Sequence, residues 1–563
     1  MTPDFPMELV ERDWLARWSL YAPERVALQC GDVKPGTGRR ELTYREFYIQ
    51  SLALAQALRE RFDVRHGDRV ACLARNELEY ISLFFAVQRL GAILVPINFR
   101  FTSAEVEHII ADCDPRVVVA QSAFWTVVEA LKDRVPLWRF DGPESLTWVA
   151  GLPVTEWSSF AASVWEEAVQ ASGAEDPCMI LYTSGTTGFP KGAMISHRMI
   201  FWNSINTGLR LNLTQSDCVL TFLPLFHTGG WNVLTTPCLH RGARVILLRQ
   251  FDSQRILELV ETERVTILFG VPTTMDLLRR SPGFDRRDLS SVRYAIVGGE
   301  PMPLEWIQTW EERGVPIRQG YGLTEFGPNV FSLNEEHSRA KMGSIGFPNF
   351  YCEARVVDEA GQVLPADAVG ELELRGPMAM SGYWRNPEAT AEVFRDGWLR
   401  TGDLVRRDSE GFYFVVGRRK EMFISGGENV YPAEVEKVLR LMEGVREAAV
   451  IGVPDPRWGE TGVAFLVMES GSEQDGERQM VPMDDIDQIR ALCRKHLAKF
   501  KIPTEFVICS ELPKTESGKV AKKALHEQWN RARRAAHECA PPVTQSEFHR
   551  LCSNGVETQP ASS

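Results

Sequence analysis

Residues 182–193 read Tyr-Thr-Ser-Gly-Thr-Thr-Gly-Phe-Pro-Lys-Gly-Ala. They follow an apolar run, Pro177 to Tyr182, that reads as a buried strand. Two glycines, four small hydroxyl side chains and one lysine fall within ten residues. Glycine lets the backbone turn its N–H groups inward as a nest for an anion. The hydroxyls of Thr183, Ser184, Thr186 and Thr187 add donors, and Lys191 supplies a mobile positive charge. This is the chemistry of a polyphosphate cradle. It is not a Walker A loop, because Pro190 stands where the second glycine belongs and Gly192 follows the lysine. The dinucleotide fingerprint is also excluded, since its third glycine is missing. For the loop alone, a plain surface turn is the competing reading.

The flanking sequence alternates strand-like and helix-like stretches. Thr43 and Glu46 have capping-box spacing before a helical run through Leu58, and Thr102 and Glu105 repeat it before Ile109. Strands are expected at Asp68 to Leu73, at Leu94 to a stop at Pro96, and at Val117 to Ala120, with a helix over Glu79 to Leu90. Beyond the loop, strands are expected at Ala243 to Leu248, Thr266 to Phe269 and Arg293 to Val297, with a helix at Ser253 to Glu263. Such alternation argues for βα units and a mostly parallel sheet. After about Gly343, short strands with Gly, Pro and Asp turns indicate a small β-rich subdomain. An α+β pattern returns from about Arg418 to Leu525, interrupted by a polar stretch, 470–485, expected as a surface loop.

Composition narrows the class. The 563 residues are long enough for several cores, and the 44% hydrophobic and 25% charged content is that of a globular chain. A net charge of −12 has the wrong sign for a nucleic-acid binder. Eleven cysteines contain no CxxC pair, which points to thiols in a reducing compartment and a cytoplasmic location. Residues 1–14 have neither a basic nor an apolar region, so no secretory signal is expected. The most apolar stretch, Tyr80 to Asn98, is broken by Gln88, Arg89 and Pro96, so no membrane span is expected.

Further motifs follow in order. They are Leu225-Phe226-His227-Thr228-Gly229-Gly230-Trp231, Gly298-Gly299-Glu300-Pro301, Gly320-Tyr321-Gly322-Leu323-Thr324-Glu325, Gly397 to Leu404, Gly417 to Glu421, Ser425 to Pro432, and Leu512 to Lys519. With the loop, this set resembles the adenylate-forming superfamily over roughly residues 40–525, in its AMP-dependent acyl-CoA synthetase branch. The resemblance implies an α/β fold. A large N-terminal adenylation domain, 1–417, would hold βα-rich sheets and the β-rich subdomain at about 343–417. A smaller mobile α+β domain would span 418–530, with a disordered tail at 540–563.

The same resemblance distributes the roles. Thr183, Ser184, Gly185, Thr186, Thr187, Gly188 and Lys191 would cradle the phosphates of ATP. Gly299, Glu300, Pro301, Tyr321 and Gly322 would flank the adenine, with Tyr321 as a stacking ring. Thr324 would donate to the α-phosphate, and Glu325 would ligate Mg²⁺, a hard cation bound through few carboxylates plus phosphates. Asp403 would accept from the ribose hydroxyls, a bidentate role suited to a carboxylate, with Arg418 beside it. His227 would orient the acid at the pocket mouth. Lys420 would be the hinge, followed by Glu421 where the family commonly has Asp. Lys519 would stabilise the charge that develops as the carboxylate attacks. Gly426, Gly427 and Glu428 would line the tunnel for coenzyme A. Trp231, Trp202 and 326–330 read equally well as acyl-pocket lining or as core, and the basic run at 531–534 as a solvated helix face. The implied activity is ligation of a fatty or aryl carboxylic acid to coenzyme A through an acyl-adenylate. The alternatives are a stand-alone enzyme loading a carrier protein and a nucleotide-binding sensor without ligase activity.

Overall fold

Thr43 starts the helix Tyr44–Phe62: its Oγ1 accepts from the Glu46 N–H at 3.2 Å while Glu46 Oε2 accepts from the Thr43 N–H at 2.8 Å. Thr102 and Glu105 close the same reciprocal cap on Ser103–Cys113. Each box satisfies two donors that a helix start otherwise leaves orphaned. The computed structural model describes residues 13–32, 40–139, 141, 173–183, 190–299, 302–426, 428–468, 483–515 and 519–538. The chain divides into two compact units. The larger comprises Met1–Arg355, Glu373–Thr401 and Glu410–Tyr413; the smaller comprises Val356–Leu372, Gly402–Ser409 and Phe414–Ser563.

Two sheets organise the larger unit. One runs in the order Leu137–Arg139, Val117–Ala120, Arg69–Leu73, Ile93–Ile97, Pro177–Thr183, Lys191–Ser196. All its neighbours are parallel except the last pair, which forms an antiparallel hairpin. In the other, Tyr294–Gly298 lies between Ile267–Gly270 and Ile317–Leu323, all parallel, and the parallel ladder continues through Cys218–Thr221 and Arg244–Leu247 to Val26–Cys30. Gly327–Ser332 then returns antiparallel to Ile317–Leu323. Val117–Ala120 is buried at every residue. Parallel strands covered on both faces give such continuous apolar runs.

The smaller unit carries the order Glu428–Val430, Phe423–Ser425, Gly459–Met468, Val445–Asp455, with Glu505–Cys509 parallel to Gly459–Met468. Helices Pro432–Leu439 and Met483–His496 cover one face through Val435, Leu439, Ile489 and Cys493. Lys522–Glu538 covers the other through Leu525 and Trp529. The fold is the α/β and α+β combination expected.

The strand expected to stop at Pro96 instead runs to Ile97. Its ladder to Pro177–Thr183 pairs only Leu94 with Met179, so on that side no partner awaits an N–H from residue 96. Most of 470–485 and all of 540–563 lie outside the described residues; helix Met483–His496 begins inside the stretch expected as a loop. Among the described residues no helix is long and apolar enough to cross a membrane.

Candidate active site

The glycine-rich segment sits between two paired strands. Thr183 faces Lys191 across the hairpin, and Thr183 Oγ1 donates to the Lys191 carbonyl at 3.3 Å. Ser184, Gly185, Thr186, Thr187 and Gly188 lie outside the described residues. The stems are anchored from both sides. The Tyr182 hydroxyl donates to the Asp112 carboxylate, and burial pushes that phenol well above its ordinary range. Segment 380–384 adds a short strap along the second strand. Met194 N–H donates to the Gly382 carbonyl at 2.9 Å, and Trp384 N–H to the Gly192 carbonyl at 2.7 Å. Lys191 Nζ stands 5.5 Å from the centroid of the Tyr383 ring, within cation–π range.

Strand Ile317–Leu323 leads into the tight turn Thr324–Phe326 and back along Gly327–Ser332. Phe326 is fully buried and fixes the turn. The Glu325 carbonyl accepts from Met380 N–H at 2.8 Å, and its Oε1 accepts from the Tyr383 hydroxyl at 2.9 Å. Burial raises the Tyr383 phenol, and the Glu325 charge and hydrogen bond raise it further, so it stays a donor. Tyr321 is half-buried and meets Phe331 edge-on at 5.7 Å. Gly299 has φ +91°, and Glu300 and Pro301 beyond it lie outside the described residues.

His227 precedes a short π-helix, Gly229–Val233, and its carbonyl accepts from the Gly230 and Trp231 N–H groups. Such helices recur at functional sites. A Cβ on Gly230 would stand 2.3 Å from the Pro224 carbonyl oxygen, so only glycine fits. Trp231 is fully buried against Tyr80 and Phe84 at 5.7 and 5.1 Å, which makes it core rather than pocket lining. The half-buried Phe269 ring lies across two glycines of different elements. A Cβ on Gly229 and one on Gly298 would each meet it at 3.7 Å.

In the smaller unit, Asp403 is only 4% exposed, and its Oδ1 pairs with Arg418 Nε at 2.7 Å. Lys420 is exposed. Glu421 is bound by Lys522 at 2.8 Å, and the same ammonium holds Glu436 at 2.8 Å. Gly426 has φ +61° with the Trp458 indole packed over it, where a Cβ would come within 2.8 Å. Glu428 is exposed and opposite Ser425; Gly427 lies outside the described residues. Lys519 is exposed, with its carbonyl accepting from Thr515 N–H at 2.6 Å.

Thus Lys191, paired with Thr183, and Glu325 meet at Tyr383 in one unit, while Asp403 with Arg418, Lys420 and Lys519 belong to the other. The description AMP-binding enzyme matches residues 15–384, and AMP-binding enzyme C-terminal domain matches 434–519. The chain belongs to the AMP-binding enzyme family. A feruloyl-CoA synthase of Amycolatopsis sp is 39% identical over 90% of this chain and 97% of its own. An indoleacetate–CoA ligase of Aromatoleum aromaticum is 37% identical over 92% and 97%. The crystal structure of an anthranilate CoA ligase in complex with anthranoyl-AMP superposes with a TM-score of 0.81 at 30% identity, covering 92% of this chain and 96% of that one.

A solved O-succinylbenzoate CoA synthetase of Bacillus subtilis, 30% identical to this chain, is in complex with ATP and a magnesium ion. Among the described residues no group of three or more His, Cys, Asp or Glu side chains stands together as a protein cage. Mg²⁺ needs only one or two carboxylates when phosphates and waters supply the rest. Glu325, already oriented by two hydrogen bonds, fits that demand. Sequence reading missed Tyr383 and Phe269. Each takes its meaning from partners far along the chain, and Ser381-Gly382-Tyr383-Trp384 carries no local pattern that separates it from an ordinary turn.

Proposed function

We propose that this AMP-binding enzyme activates an aryl carboxylic acid, with the two units serving successive half-reactions of an ATP-dependent acid–CoA ligation. The acid's carboxylate oxygen attacks the α-phosphorus of ATP, forming the acyl-adenylate and expelling pyrophosphate. The thiol of coenzyme A then attacks the acyl carbon, loses its proton, and AMP leaves. The observation that carries the nucleotide half is the convergence of Lys191 and Glu325 on Tyr383 beside the glycine-rich hairpin. It presents one cation to the polyphosphate and one carboxylate to the Mg²⁺ that the polyphosphate carries. Asp403 offers the ribose its carboxylate, and Lys519 brings a mobile ammonium to the reacting carboxylate and α-phosphate.

Aryl is favoured over fatty acid by the Phe269 ring across Gly229 and Gly298. A flat wall between two side-chain-free positions suits a planar ring better than a flexible chain. Three of the relatives, named for feruloyl, indoleacetate and anthranilate, support the same reading, the first two at higher identity (39% and 37%) than a long-chain-fatty-acid–CoA ligase at 34%. We place the reaction in the cytoplasm, supported by the lack of any disulfide among the described residues.

The test is a panel of cinnamic, indolic, benzoic and straight-chain acids with ATP, Mg²⁺ and coenzyme A, followed by AMP release. Aryl acids should exceed fatty acids of equal carbon number by at least about tenfold in kcat/KM, several methylene equivalents of discrimination being available to a shaped pocket. A preference for long-chain acids would refute the aryl assignment.

A further inference from the structure

Segment 380–384 touches both halves of the nucleotide machinery. Its backbone is bonded to the strand that begins at Lys191, through the Gly382 and Trp384 main chain and the bridge between Ala193 and Tyr383. At its other end, Met380 N–H holds the Glu325 carbonyl. One side chain in this strap, Tyr383, reaches both functional groups: its hydroxyl donates to Glu325 Oε1 at 2.9 Å, and its ring lies 5.5 Å from Lys191 Nζ. Tyr383 itself is 9% exposed, so its ring is held by the fold rather than by solvent. A carboxylate offered to a cation from an exposed turn would lose rotamer freedom on binding. A carboxylate already bonded through one oxygen has that cost reduced and leaves the other oxygen for the ion.

We propose that Tyr383 is a positioning residue that pre-orients Glu325 for Mg²⁺ and steadies Lys191 for the phosphates, so that the hairpin and the glutamate turn receive Mg-ATP as one preset unit. This rests on the nucleotide roles given above for Glu325 and Lys191. The hydroxyl acts only through Glu325; the π-face acts only through Lys191.

Calorimetric titration of ATP into the full chain, with and without Mg²⁺, tests it without requiring turnover. In the wild type, Mg²⁺ should tighten ATP binding by about tenfold or more. Tyr383→Phe keeps the ring and removes the hydroxyl; the gain from Mg²⁺ should shrink to about twofold, a loss of about fivefold, the size expected for an ordinary hydrogen bond. Its affinity for ATP without Mg²⁺ should be unchanged. Tyr383→Leu should weaken ATP binding in both conditions, because the ring beside Lys191 is gone too. As a check on integrity, Tyr383→Phe should consume supplied acyl-adenylate with coenzyme A at the wild-type rate. A full Mg²⁺ gain in Tyr383→Phe overturns the proposal, and so does equal loss of both half-reactions, the mark of a merely structural role. If the wild type binds Mg-ATP in this way but releases pyrophosphate with no acid, the ligase reading fails while the Tyr383 assignment is still decided by the titrations.

Discussion

Gly322 illustrates how far a single position can commit the site. A Cβ there would stand 2.1 Å from the Pro328 carbonyl oxygen and 2.3 Å from its carbon, both backbone atoms of the facing strand. No rotamer change relieves a clash with main chain, so the hairpin that carries Thr324 and Glu325 must open to accept any side chain. The motif reading assigned this glycine to close approach by the adenine; the structure adds a second demand from within the protein. Gly322→Ala should therefore lower adenylate formation by roughly a hundredfold, since about 1 Å of misplacement at a positioned group costs that much. Pyrophosphate release with ATP and acid is the measurement. A variant with wild-type release would mean that the hairpin tolerates the shift and that Glu325 does not need its present place.

Helix Trp14–Tyr21 shows what local patterns reveal and what they hide. Its start carries only a single local signal, the N-cap Asp13 accepting from the Ala16 N–H at 2.9 Å with an alanine there that cannot reciprocate, and its other anchors are distant: Asp13 pairs with buried Arg89, and Trp14 stacks on His240 at 4.0 Å. The two capping boxes were legible because both partners sit three residues apart, and the strands were legible because parallel burial writes itself as uninterrupted apolar runs. The end of the strand at Pro96 was misjudged because ladder pairing depends on a neighbour 85 residues later, Met179 opposite Leu94. His240 turns the helix contact into a measurable pH effect. Burial, aided by the Arg241 charge, lowers its pKa to about 3, and Ser204 Oγ lies 2.7 Å from its Nδ1. The unfolded chain takes up the proton near pH 6.5 while the folded one resists it. The full stability is therefore present above that pH and is lost progressively as pH falls toward the folded value. Between pH 7 and 5 the loss is about 2 kcal/mol from this group alone. His240→Gln should remove that part of the acid sensitivity; denaturant midpoints of both proteins at the two pH values would reveal it, and parallel slopes would exclude His240 as the source.

Across the molecule as a whole, the nucleotide motifs were readable because each is a short contiguous run, whereas the partners that give them mechanical sense were not. Nothing in sequence joins Glu421 to Lys522 or Gly426 to Trp458. The Lys522 contact explains why a glutamate stands after Lys420. Its longer arm reaches an ammonium that is mostly buried and also held by Glu436, whose Oε1 accepts from the Val450 N–H as well. Burial alone would lower the Lys522 pKa, but the two carboxylates raise it, so it stays charged. This clamp joins residue 421 to the helix Lys522–Glu538, which begins three residues after Lys519. We propose that the reorientation between the half-reactions turns at the exposed Lys420, with this clamp holding Glu421 to the side of the helix Lys522–Glu538. Proline at 420 fixes φ near −65° and removes the N–H. Lys420→Pro should leave adenylate formation within a few-fold of wild type and cut thiolation of supplied adenylate by roughly a hundredfold, as expected when a conformational step becomes limiting. Lys519→Ala should give the mirror image, losing adenylate formation by about 10²–10³ while sparing thiolation. Both rates are read on the same preparations, pyrophosphate release for one step and acyl-CoA from synthetic adenylate for the other. If Lys420→Pro thiolates normally, the turning point lies elsewhere in the chain; if both variants lose both steps together, the division of labour between the two units is wrong.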